Sequence, residues 1–364
     1  MCLRSTRHSI FCVLPPHILR SIAERGNAEQ RMHASRTLAL DATFRALRAS
    51  PMMLERAPTV APAAAPGQKR RTIYSAGNQQ LLPGAVVATE LTPPTAASDP
   101  AVREAFDGLG ATYDFFWEVF DRQSIDDEGM ALDATVHYGD NYNNAFWNSQ
   151  QMVFGDGDGE IFNRFTSSLD VIGHELAHGV TEDEAGLVYM FQPGALNESM
   201  SDVMGSLIKQ RVRNQTAAAA DWLIGEGLFT PMVNGTALRS MKAPGTAYDD
   251  DVLGADPQPD HMSKYVDTFN DNGGVHINSG IPNKAFHLAA TGMGGYAWEK
   301  AGRIWYETLR DAGLRQNTGF RRFARLTVNT AARLFGPGSV EQAIVADAWA
   351  SVGIAVTGGV VAIR

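Results

Sequence analysis

The chain has 364 residues, 44% of them hydrophobic, which is enough for two or three folded units with cores of their own. Its net charge of −9 argues against a general nucleic-acid-binding protein. No stretch approaches the roughly 18 apolar residues of a membrane span, and the apolar run at residues 10–14 is too short for a secretory signal peptide. Both cysteines, Cys2 and Cys12, lie close to the N-terminus, so disulfides do not hold the body of the chain together.

The first 71 residues differ in composition from the rest of the chain. Residues 15–49 have helix-like polarity and open with Pro15 and Pro16, whereas residues 51–67 are rich in Pro and Ala and predict an extended linker. Residues 1–71 carry 12 Lys or Arg against 4 Asp or Glu, and the remainder carries 19 against 36. This opposite charge predicts that the basic leader docks on the acidic body, and a disordered basic tail is the alternative.

Beyond the leader, the sequence pattern changes from mixed to helical. The sequences TIYSAG and AVVATE predict short strands, and apolar spacing predicts a helix within residues 99–120. Residues 131–159 alternate and turn as a strand-rich sheet does, and helical patterns dominate from Phe165 to the end. The predicted fold class is therefore α+β, with a sheet-rich half followed by a mainly helical half and no internal repeat.

The sequence VIGHELAHGV at residues 171–180 contains the pattern H-E-x-x-H. His174 and His178 are four residues apart and therefore share one face of a helix, where both imidazoles can reach one ion. Glu175 points off that axis, where a carboxylate can polarise a metal-bound water without binding the metal itself. A surface helix with two histidines paired by chance is the alternative for this segment.

A third ligand is expected from the sequence GALNESMSD. Glu198 follows His178 by 20 residues, which leaves room for one helix to end and another to begin. A carboxylate completes two histidines to a three-ligand site with water in the fourth position. Asp202 and Asn197 are placed to accept the ring N–H groups of the ligating histidines. Taken singly, Glu198 is also compatible with an exposed helical acid.

Several motifs together resemble the thermolysin family of zinc endopeptidases. They are GHELAHGVTEDEAGLVY, GALNESMSD, NYNNAFWN, GDGDG and DNGGVHINSGIPNKAF, and the similarity runs from about Tyr74 to the C-terminus. The leader sequence LPPHILRSIAERG resembles the short propeptide of protealysin-like members. The resemblance implies a two-lobed fold with the active-site helix between the lobes. The expected units are a propeptide at residues 1–50, a linker at 51–71, an α+β lobe at 72–182 and a mainly helical lobe at 183–364.

The resemblance implies one zinc ion with three protein ligands, His174, His178 and Glu198. Glu175 is expected to take a proton from the zinc-bound water as it attacks the peptide carbonyl, and later to pass a proton to the leaving nitrogen. Tyr189 and His276 match the residues that stabilise the oxyanion, and Asp271 is expected to hold His276 in the required tautomer and raise its pKa. Taken singly, Tyr189 is also compatible with a core aromatic and His276 with a loop residue.

The same resemblance implies a groove for an extended peptide. Asn144 and Ala145 match the edge-strand positions that pair with substrate, and Arg239 matches the residue that binds the carbonyl beyond the scissile bond. The family's apolar pocket on that side is matched by Phe162, Val171, Ile224 and Leu238. We therefore expect cleavage before bulky apolar residues, although the four pocket residues are also compatible with ordinary core packing.

The leader is expected to be an inhibitory prodomain of the PPxxL type that closes the cleft until it is cut. Pro15, Pro16 and Leu19 are expected to be part of its apolar anchor. Cleavage is expected between Ala49 and Arg71. Cys2 or Cys12 could supply a thiolate ligand to the zinc in the latent form, although a cysteine is more often a packed small hydrophobe.

The positions that bind paired calcium ions in larger members of the family are altered here. They are occupied by Asp170, Lys209, Asp221, Leu223 and Glu226, so two of the five acids are missing. We expect the Lys209 ammonium to take the place of calcium, with the three remaining carboxylates around it. A solvated Lys209 with scattered acids is the alternative.

The expected function is a zinc-dependent neutral endopeptidase, made as a zymogen and acting as a monomer on proteins or peptides, without nucleic-acid or membrane partners. A catalytically weak, zinc-containing peptide-binding relative is the alternative. A metal-dependent deaminase or hydrolase of small molecules does not call for the substrate-strand and arginine motifs. The family function points to secretion by a route that needs no conventional signal peptide, with the cytoplasm as the alternative location.

Overall fold

The computed structural model describes residues 11–49 and 64–356. Cys2 and most of the predicted linker therefore lie outside the described residues. The structure describes only part of the region between Ala49 and Arg71 in which cleavage is expected. Within the described ranges, no helix is both long enough and apolar enough to cross a membrane.

The leader forms a short strand followed by two helices. They are β1 (Phe11–Cys12), α1 (Pro16–Arg25) and α2 (Ala28–Ala49), so the helical polarity predicted for residues 15–49 is confirmed. Pro16 begins α1 because its fixed φ and missing N–H suit the first helical turn. The apolar side of α1 is buried through Ile18, Leu19 and Ile22.

A six-stranded sheet forms the N-terminal lobe. Its other strands are β2 (Arg71–Ser75), β3 (Ala85–Thr89), β4 (Leu132–Val136), β5 (Ala145–Trp147) and β6 (Met152–Phe154), in the spatial order β1-β5-β6-β4-β2-β3. The β2–β4 and β4–β6 pairs are parallel and the others are antiparallel. Strand β1 of the leader covers the edge that β5 would otherwise present. The predicted strands are confirmed, as is the predicted helix, α3 (Pro100–Phe120), which packs against the sheet.

Two nearly enclosed helices, α4 (Leu169–Glu184) and α5 (Phe191–Val212), form the centre of the molecule and pack against each other. Gly205 of α5 lies against the backbone of Asp170 on α4, where a Cβ atom would collide, so this glycine allows the close approach of the helices. Most side chains of both helices are buried, including polar ones. Because buried polar groups require partners, this helix pair is where specific chemistry is expected.

The C-terminal lobe begins with an irregular region. The prediction that helical patterns dominate from Phe165 onward is wrong for residues 213–270, where the structure has one short 3-10 helix and four two-residue strands. These strands are β7 (Leu223–Ile224), β8 (Arg239–Ser240), β9 (Asp249–Asp250) and β10 (Gly254–Ala255). Gly, Pro, Asn and Asp recur in this region and favour turns over continuous helices.

Five helices complete the C-terminal lobe as far as residue 356. They are α6 (Asp271–Asn278), α7 (Gly280–Met293), α8 (Ala301–Leu309), α9 (Phe320–Phe335) and α10 (Val340–Ser351). The structure is therefore a mixed α+β fold with a sheet-rich lobe and a helical lobe, as predicted. Helices α4 and α5 lie between the two lobes and the leader lies against the cleft.

Candidate active site

Three buried side chains from α4 and α5 form one cluster of metal-binding atoms. The Nε2 atoms of His174 and His178 are 3.0 Å apart. Glu198 Oε2 lies 3.5 Å from His174 Nε2, and Glu198 Oε1 lies 3.4 Å from His178 Nε2. The three potential ligand atoms all lie within 4.8 Å of one another. The structure thus brings together the two histidines of the H-E-x-x-H pattern and the predicted third ligand.

The donors of this cluster fit a zinc ion. Burial lowers the pKa of His178 well below its ordinary value, so its imidazole is neutral and can offer a lone pair to a metal. Glu198 Oε2 is buried and has no hydrogen-bond partner among the described residues. An uncompensated carboxylate oxygen between two imidazole nitrogens is costly without a cation, and two histidines with one carboxylate are a known zinc donor set.

The outer ring nitrogens of both histidines have partners on α5. Asp202 Oδ1 lies 2.8 Å from His174 Nδ1, and Asn197 Oδ1 lies 2.7 Å from His178 Nδ1. The Ser201 hydroxyl also lies 2.9 Å from His178 Nδ1. Sequence reasoning missed Ser201, although its position one helical turn after Asn197 was a usable signal. These contacts orient the rings toward the metal position.

Glu175 projects from α4 into the same buried region. Its Oε2 accepts a hydrogen bond of 3.0 Å from the backbone N–H of Trp147 in β5. The carboxylate therefore lies between the metal-binding helix and the strand that borders the cleft, and it is not part of the cluster of metal-binding atoms. This position suits a proton acceptor for an attacking water.

A second group of polar residues, all from the C-terminal lobe, faces the metal cluster. The Tyr189 hydroxyl donates a short hydrogen bond to Glu198 and lies 3.3 Å from His276 Nε2. Asp271 Oδ1 lies 2.6 Å from His276 Nδ1, and Asp271 Oδ2 accepts a hydrogen bond of 2.9 Å from the His276 backbone N–H. Burial disfavours protonation of His276, but the Asp271 and Glu198 carboxylates outweigh it and raise its pKa to about 9.

The backbone that presents Asp271 has an unusual conformation. Asp271, Asn272, Gly273 and Gly274 have φ values of 53°, 52°, 85° and 72°, which all belong to the left-handed region. Two glycines and one asparagine accept this region at low cost, and the sequence DNGG therefore encodes the turn. The turn places the Asp271 carboxylate beside the first residues of the regular helix, where it contacts the backbone N–H and the Nδ1 atom of His276.

The leader occupies the groove that was predicted for substrate. The His276 ring nitrogen Nε2 lies 3.0 Å from the Cys12 carbonyl oxygen, and the Val13 N–H donates to the Ala145 carbonyl at 3.3 Å. Arg239 Nη1 donates to the Val13 carbonyl at 3.0 Å.

The next residue continues this pairing. The Leu14 N–H donates to Asn144 Oδ1 at 3.1 Å, and Val13 and Leu14 are fully buried. The sequence predicted Pro15, Pro16 and Leu19 as part of the apolar anchor but did not identify the residues that precede them. All three predicted anchor residues are buried, so the contact extends from residue 12 into α1.

The four predicted pocket residues are all buried. Phe162, Val171, Ile224 and Leu238 belong to the same hydrophobic cluster as Val13. Arg239 comes directly after Leu238, begins β8, and donates two hydrogen bonds to Asp202, of 2.8 and 2.9 Å. One carboxylate therefore contacts both a metal-binding histidine and the arginine of the groove.

The Cys12 side chain does not lie among the three clustered metal-binding residues. It packs in a small hydrophobic cluster with Tyr138, Tyr142, Phe146 and others. The backbone carbonyl of Cys12, and not its thiol, faces the active-site residues. The thiolate-ligand hypothesis therefore has no support from Cys12, and Cys2 lies outside the described residues.

The structure gathers three acids around Lys209. Its Nζ lies 2.8 Å from Asp170 Oδ2, 2.9 Å from Asp221 Oδ1 and 3.9 Å from Glu226 Oε2, and it donates to the Leu223 carbonyl at 2.7 Å. Burial favours the neutral amine, but Asp170 and Asp221 outweigh it and raise the pKa of Lys209.

A second cation near this cluster was missed in the sequence. Arg213 Nη1 lies 3.0 Å from Asp221 and 2.8 Å from Glu226. Glu226 is therefore closer to Arg213 than to Lys209, and the cluster contains two cations and three acids. Arg213 follows Lys209 by four residues, about one helical turn. This spacing puts both side chains on one face of a helix and was a usable signal in the sequence.

A two-lobed fold with a buried His-His-Glu cluster, an adjacent glutamate and a groove occupied by extended backbone defines a metallopeptidase. Residues 68–182 match the family described as thermolysin metallopeptidase, catalytic domain, and residues 185–354 match the thermolysin metallopeptidase alpha-helical domain. The chain belongs to the thermolysin family, and it is a metalloendopeptidase.

Several relatives resemble this chain over nearly its whole length. The extracellular metalloprotease of Pectobacterium carotovorum subsp. carotovorum is 53% identical, covering 95% of this chain and 97% of that protein. Protease PrtS of Photorhabdus sp. (strain Az29) is 48% identical, covering 94% and 92%. Among solved structures, the precursor of protealysin, a metalloproteinase from Serratia proteamaculans, has a TM-score of 0.86 at 54% identity, covering 95% of this chain and all of that one.

The prediction about cellular location is wrong. We expected export without a conventional signal peptide or, as the alternative, a cytoplasmic location. A relative that is 53% identical over nearly the whole chain is named an extracellular metalloprotease. This finding points to secretion and not to the cytoplasm.

Proposed function

We propose that the chain is the latent form of a zinc endopeptidase whose own leader occupies the substrate groove. The order of hydrogen bonds along residues 12–14 supports this proposal most directly. Carbonyl and N–H groups of these residues alternately meet His276, Ala145, Arg239 and Asn144. An extended substrate uses the same alternation against an edge strand, so the Cys12–Val13 bond occupies the position of a scissile bond.

Glu175 is the proposed base of the reaction. Zinc at the His174, His178 and Glu198 cluster would supply a Lewis acid for the attacking water and the peptide carbonyl. Glu175 accepts the proton of that water and later delivers a proton to the leaving nitrogen. The Trp147 N–H holds its carboxylate toward the groove. Water attack at a peptide carbonyl needs such a fixed acceptor within hydrogen-bond reach.

His276 and Tyr189 are the proposed stabilisers of negative charge on the peptide oxygen. His276 Nε2 already faces the Cys12 carbonyl at 3.0 Å, and the Tyr189 hydroxyl lies beside it. Donors fixed before the reaction stabilise the developing charge without reorganisation. Asp271 holds His276 in the orientation that this role requires.

The groove also supports a preference for apolar residues after the cut. Val13 follows the bond at the scissile position and is fully buried, and the predicted pocket residues are buried in the same hydrophobic core, which extends through both lobes. A charged side chain in that place would be buried without a partner. We therefore propose cleavage before Leu, Phe, Ile or Val.

We further propose that residues 1–50 act as the prodomain and that activation cuts the chain between Ala49 and Arg71. The part of this leader that is described covers the edge strand and the groove. We also propose that Lys209 replaces calcium, since its ammonium contacts carboxylates at the positions that bind calcium in larger members of the family.

Glu175→Gln tests the proposed base. After the linker has been cut, the variant should lose about 10³-fold in kcat/KM on a quenched peptide with Leu after the scissile bond, because the amide cannot accept the proton. Glu299→Gln, which changes an exposed glutamate, should retain full activity. Metal analysis should find one zinc per chain in both variants. Activity that survives both Glu175→Gln and zinc chelation would contradict the mechanism.

A further inference from the structure

Helix α2 has a polar side that the segment in the groove does not explain. His33, Thr37 and Asp41 follow one another at intervals of four residues, so they share one side of the helix. Their exposed fractions are only 5%, 1% and 2%. We call these three residues the polar stripe. Buried polar groups are costly unless they are hydrogen-bonded, so the partners of the stripe indicate what it binds.

The partners are four consecutive residues of the catalytic part, residues 141–144, which we call the docking loop. His33 Nε2 lies 3.3 Å from Asn141 Nδ2. The Thr37 hydroxyl oxygen accepts a hydrogen bond of 3.3 Å from the Asn143 backbone N–H. These contacts lie on a different element of the leader from the segment that fills the groove.

Asp41 makes two contacts with the docking loop. Its Oδ1 accepts a hydrogen bond of 2.7 Å from the Tyr142 hydroxyl, and its Oδ2 accepts one of 3.0 Å from Asn144 Nδ2. Burial and the Asp41 carboxylate raise the pKa of Tyr142 well above its ordinary value, so the phenol remains a donor. Since Asn144 Oδ1 accepts the Leu14 N–H, the contact with Asp41 fixes the amide in the orientation that the segment in the groove requires.

We propose that the docking loop is a second binding surface for the leader, which recognises the polar stripe of α2 separately from the groove. Asp41 is a positioning residue there, because it orients Asn144 for the groove-filling segment. The inference rests on the proposed function, in which the leader is the inhibitor. Latency then depends on two sets of contacts, and loss of either set exposes the groove more often.

The test compares full-length variants by one ratio, the activity of the uncut chain divided by that of the same chain after the linker has been cut and the severed leader removed. Asp41→Asn keeps the size of the side chain but leaves one oxygen to serve two donors, so the ratio should rise about 10-fold. The exposed substitution Glu29→Gln on the same helix should leave the ratio unchanged. The ratio cancels any effect on the catalytic part itself.

A double-mutant cycle tests whether the contact is direct. Tyr142→Phe removes the donor to Asp41 from the catalytic side, and combined with Asp41→Asn it should raise the ratio far less than the product of the two single effects. Far-UV circular dichroism of full-length Asp41→Asn, which should match the wild-type chain, checks separately that its leader has kept its fold. Thr37→Val, with the exposed Thr43→Val as its matched control, gives the same test without a change of charge and should raise the ratio about 3-fold.

The possible failures are distinguishable. Independent effects in the cycle, or unchanged ratios for both Asp41→Asn and Thr37→Val, would overturn the second binding surface while the cut enzyme remained active. A cut enzyme without zinc-dependent peptidase activity would instead overturn the proposed function.

Discussion

At the scale of single residues, buried charged side chains of this protein lie in contact with side chains of opposite charge. Asp202 accepts hydrogen bonds from the Nε and Nη2 atoms of Arg239 and also faces His174. Burial would raise the pKa of Asp202, but Arg239 and His174 hold it well below its ordinary range. Lys209 and Asp170 form another such pair. Removing one member leaves the other buried and uncompensated, which costs far more than an exposed ion pair contributes.

Lys209→Ala should lower the free energy of unfolding by about 3 to 5 kcal/mol, because the buried Asp170 carboxylate loses its cation. The matched control is Lys264→Ala, whose ion pair with Asp260 is exposed. That change should cost less than about 1 kcal/mol. Chemical denaturation of the zinc-loaded chain measures both differences.

Calcium provides the complementary test at this cluster. Selective removal of calcium should leave the melting temperature of the wild-type chain unchanged, because Lys209 and Arg213 already neutralise the acids. A calcium ion bound among Asp170, Asp221 and Glu226 would refute the replacement of calcium by Lys209.

At the scale of elements, local patterns were easier to predict than distant pairings. The ligands His174 and His178 lie on one helix, and their spacing specifies a shared face without knowledge of the fold. Strand β1 has only two residues and pairs with β5, far along the chain, so no local periodicity revealed it. The segment at residues 12–14 was missed for this reason. The irregular region at 213–270 was missed because its turn residues interrupt apolar spacing that resembles helices.

Val13→Asp tests the element that fills the groove. The substitution places a carboxylate in a fully buried apolar position, so the segment at residues 12–14 should leave the groove more often and the activity of the uncut chain should rise at least about 10-fold. Ala28→Asp is the control, since it adds the same charge at an exposed position of the leader. Equal activity of these two variants would show that Val13 does not occupy the pocket.

At the scale of the whole molecule, the contact between leader and catalytic part includes a titratable group outside the metal centre. His17 of α1 lies 3.0 Å from the Tyr248 hydroxyl through Nε2, while its Nδ1 is buried without a hydrogen-bond partner in the described structure. Burial lowers the pKa of His17 to about 4, assisted by His276, Arg239 and Arg20 and opposed by Asp271. The docked leader therefore favours neutral His17.

This shift predicts that acid weakens the docking of the leader. A released leader would bind a proton at His17 near its ordinary pKa of 6.5, whereas the docked leader would not until about pH 4. The stabilisation is thus complete above pH 6.5 and is lost as the pH falls from 6.5 toward 4. The activity of the uncut chain, divided by that of the cut enzyme at each pH, should rise about 10-fold from pH 7.5 to pH 5.5.

His17→Gln is the matched variant for this pH dependence, because its amide can bond the Tyr248 hydroxyl but does not titrate. Its ratio should change little over the same pH interval. An equally steep rise in His17→Gln would assign the acid sensitivity to another group.

The pairing of β1 with β5 has a consequence for how activation depends on dilution. While the chain is continuous, rebinding of the leader is intramolecular, so its rate does not depend on the concentration of the protein. A cut in the linker between α2 and β2 removes none of the contacts that residues 12–14 and α2 make with the catalytic part, but it turns this first-order rebinding into a second-order encounter. A concentrated solution of the cut protein can therefore remain latent, and the same solution becomes active when it is diluted below the dissociation constant of the severed leader.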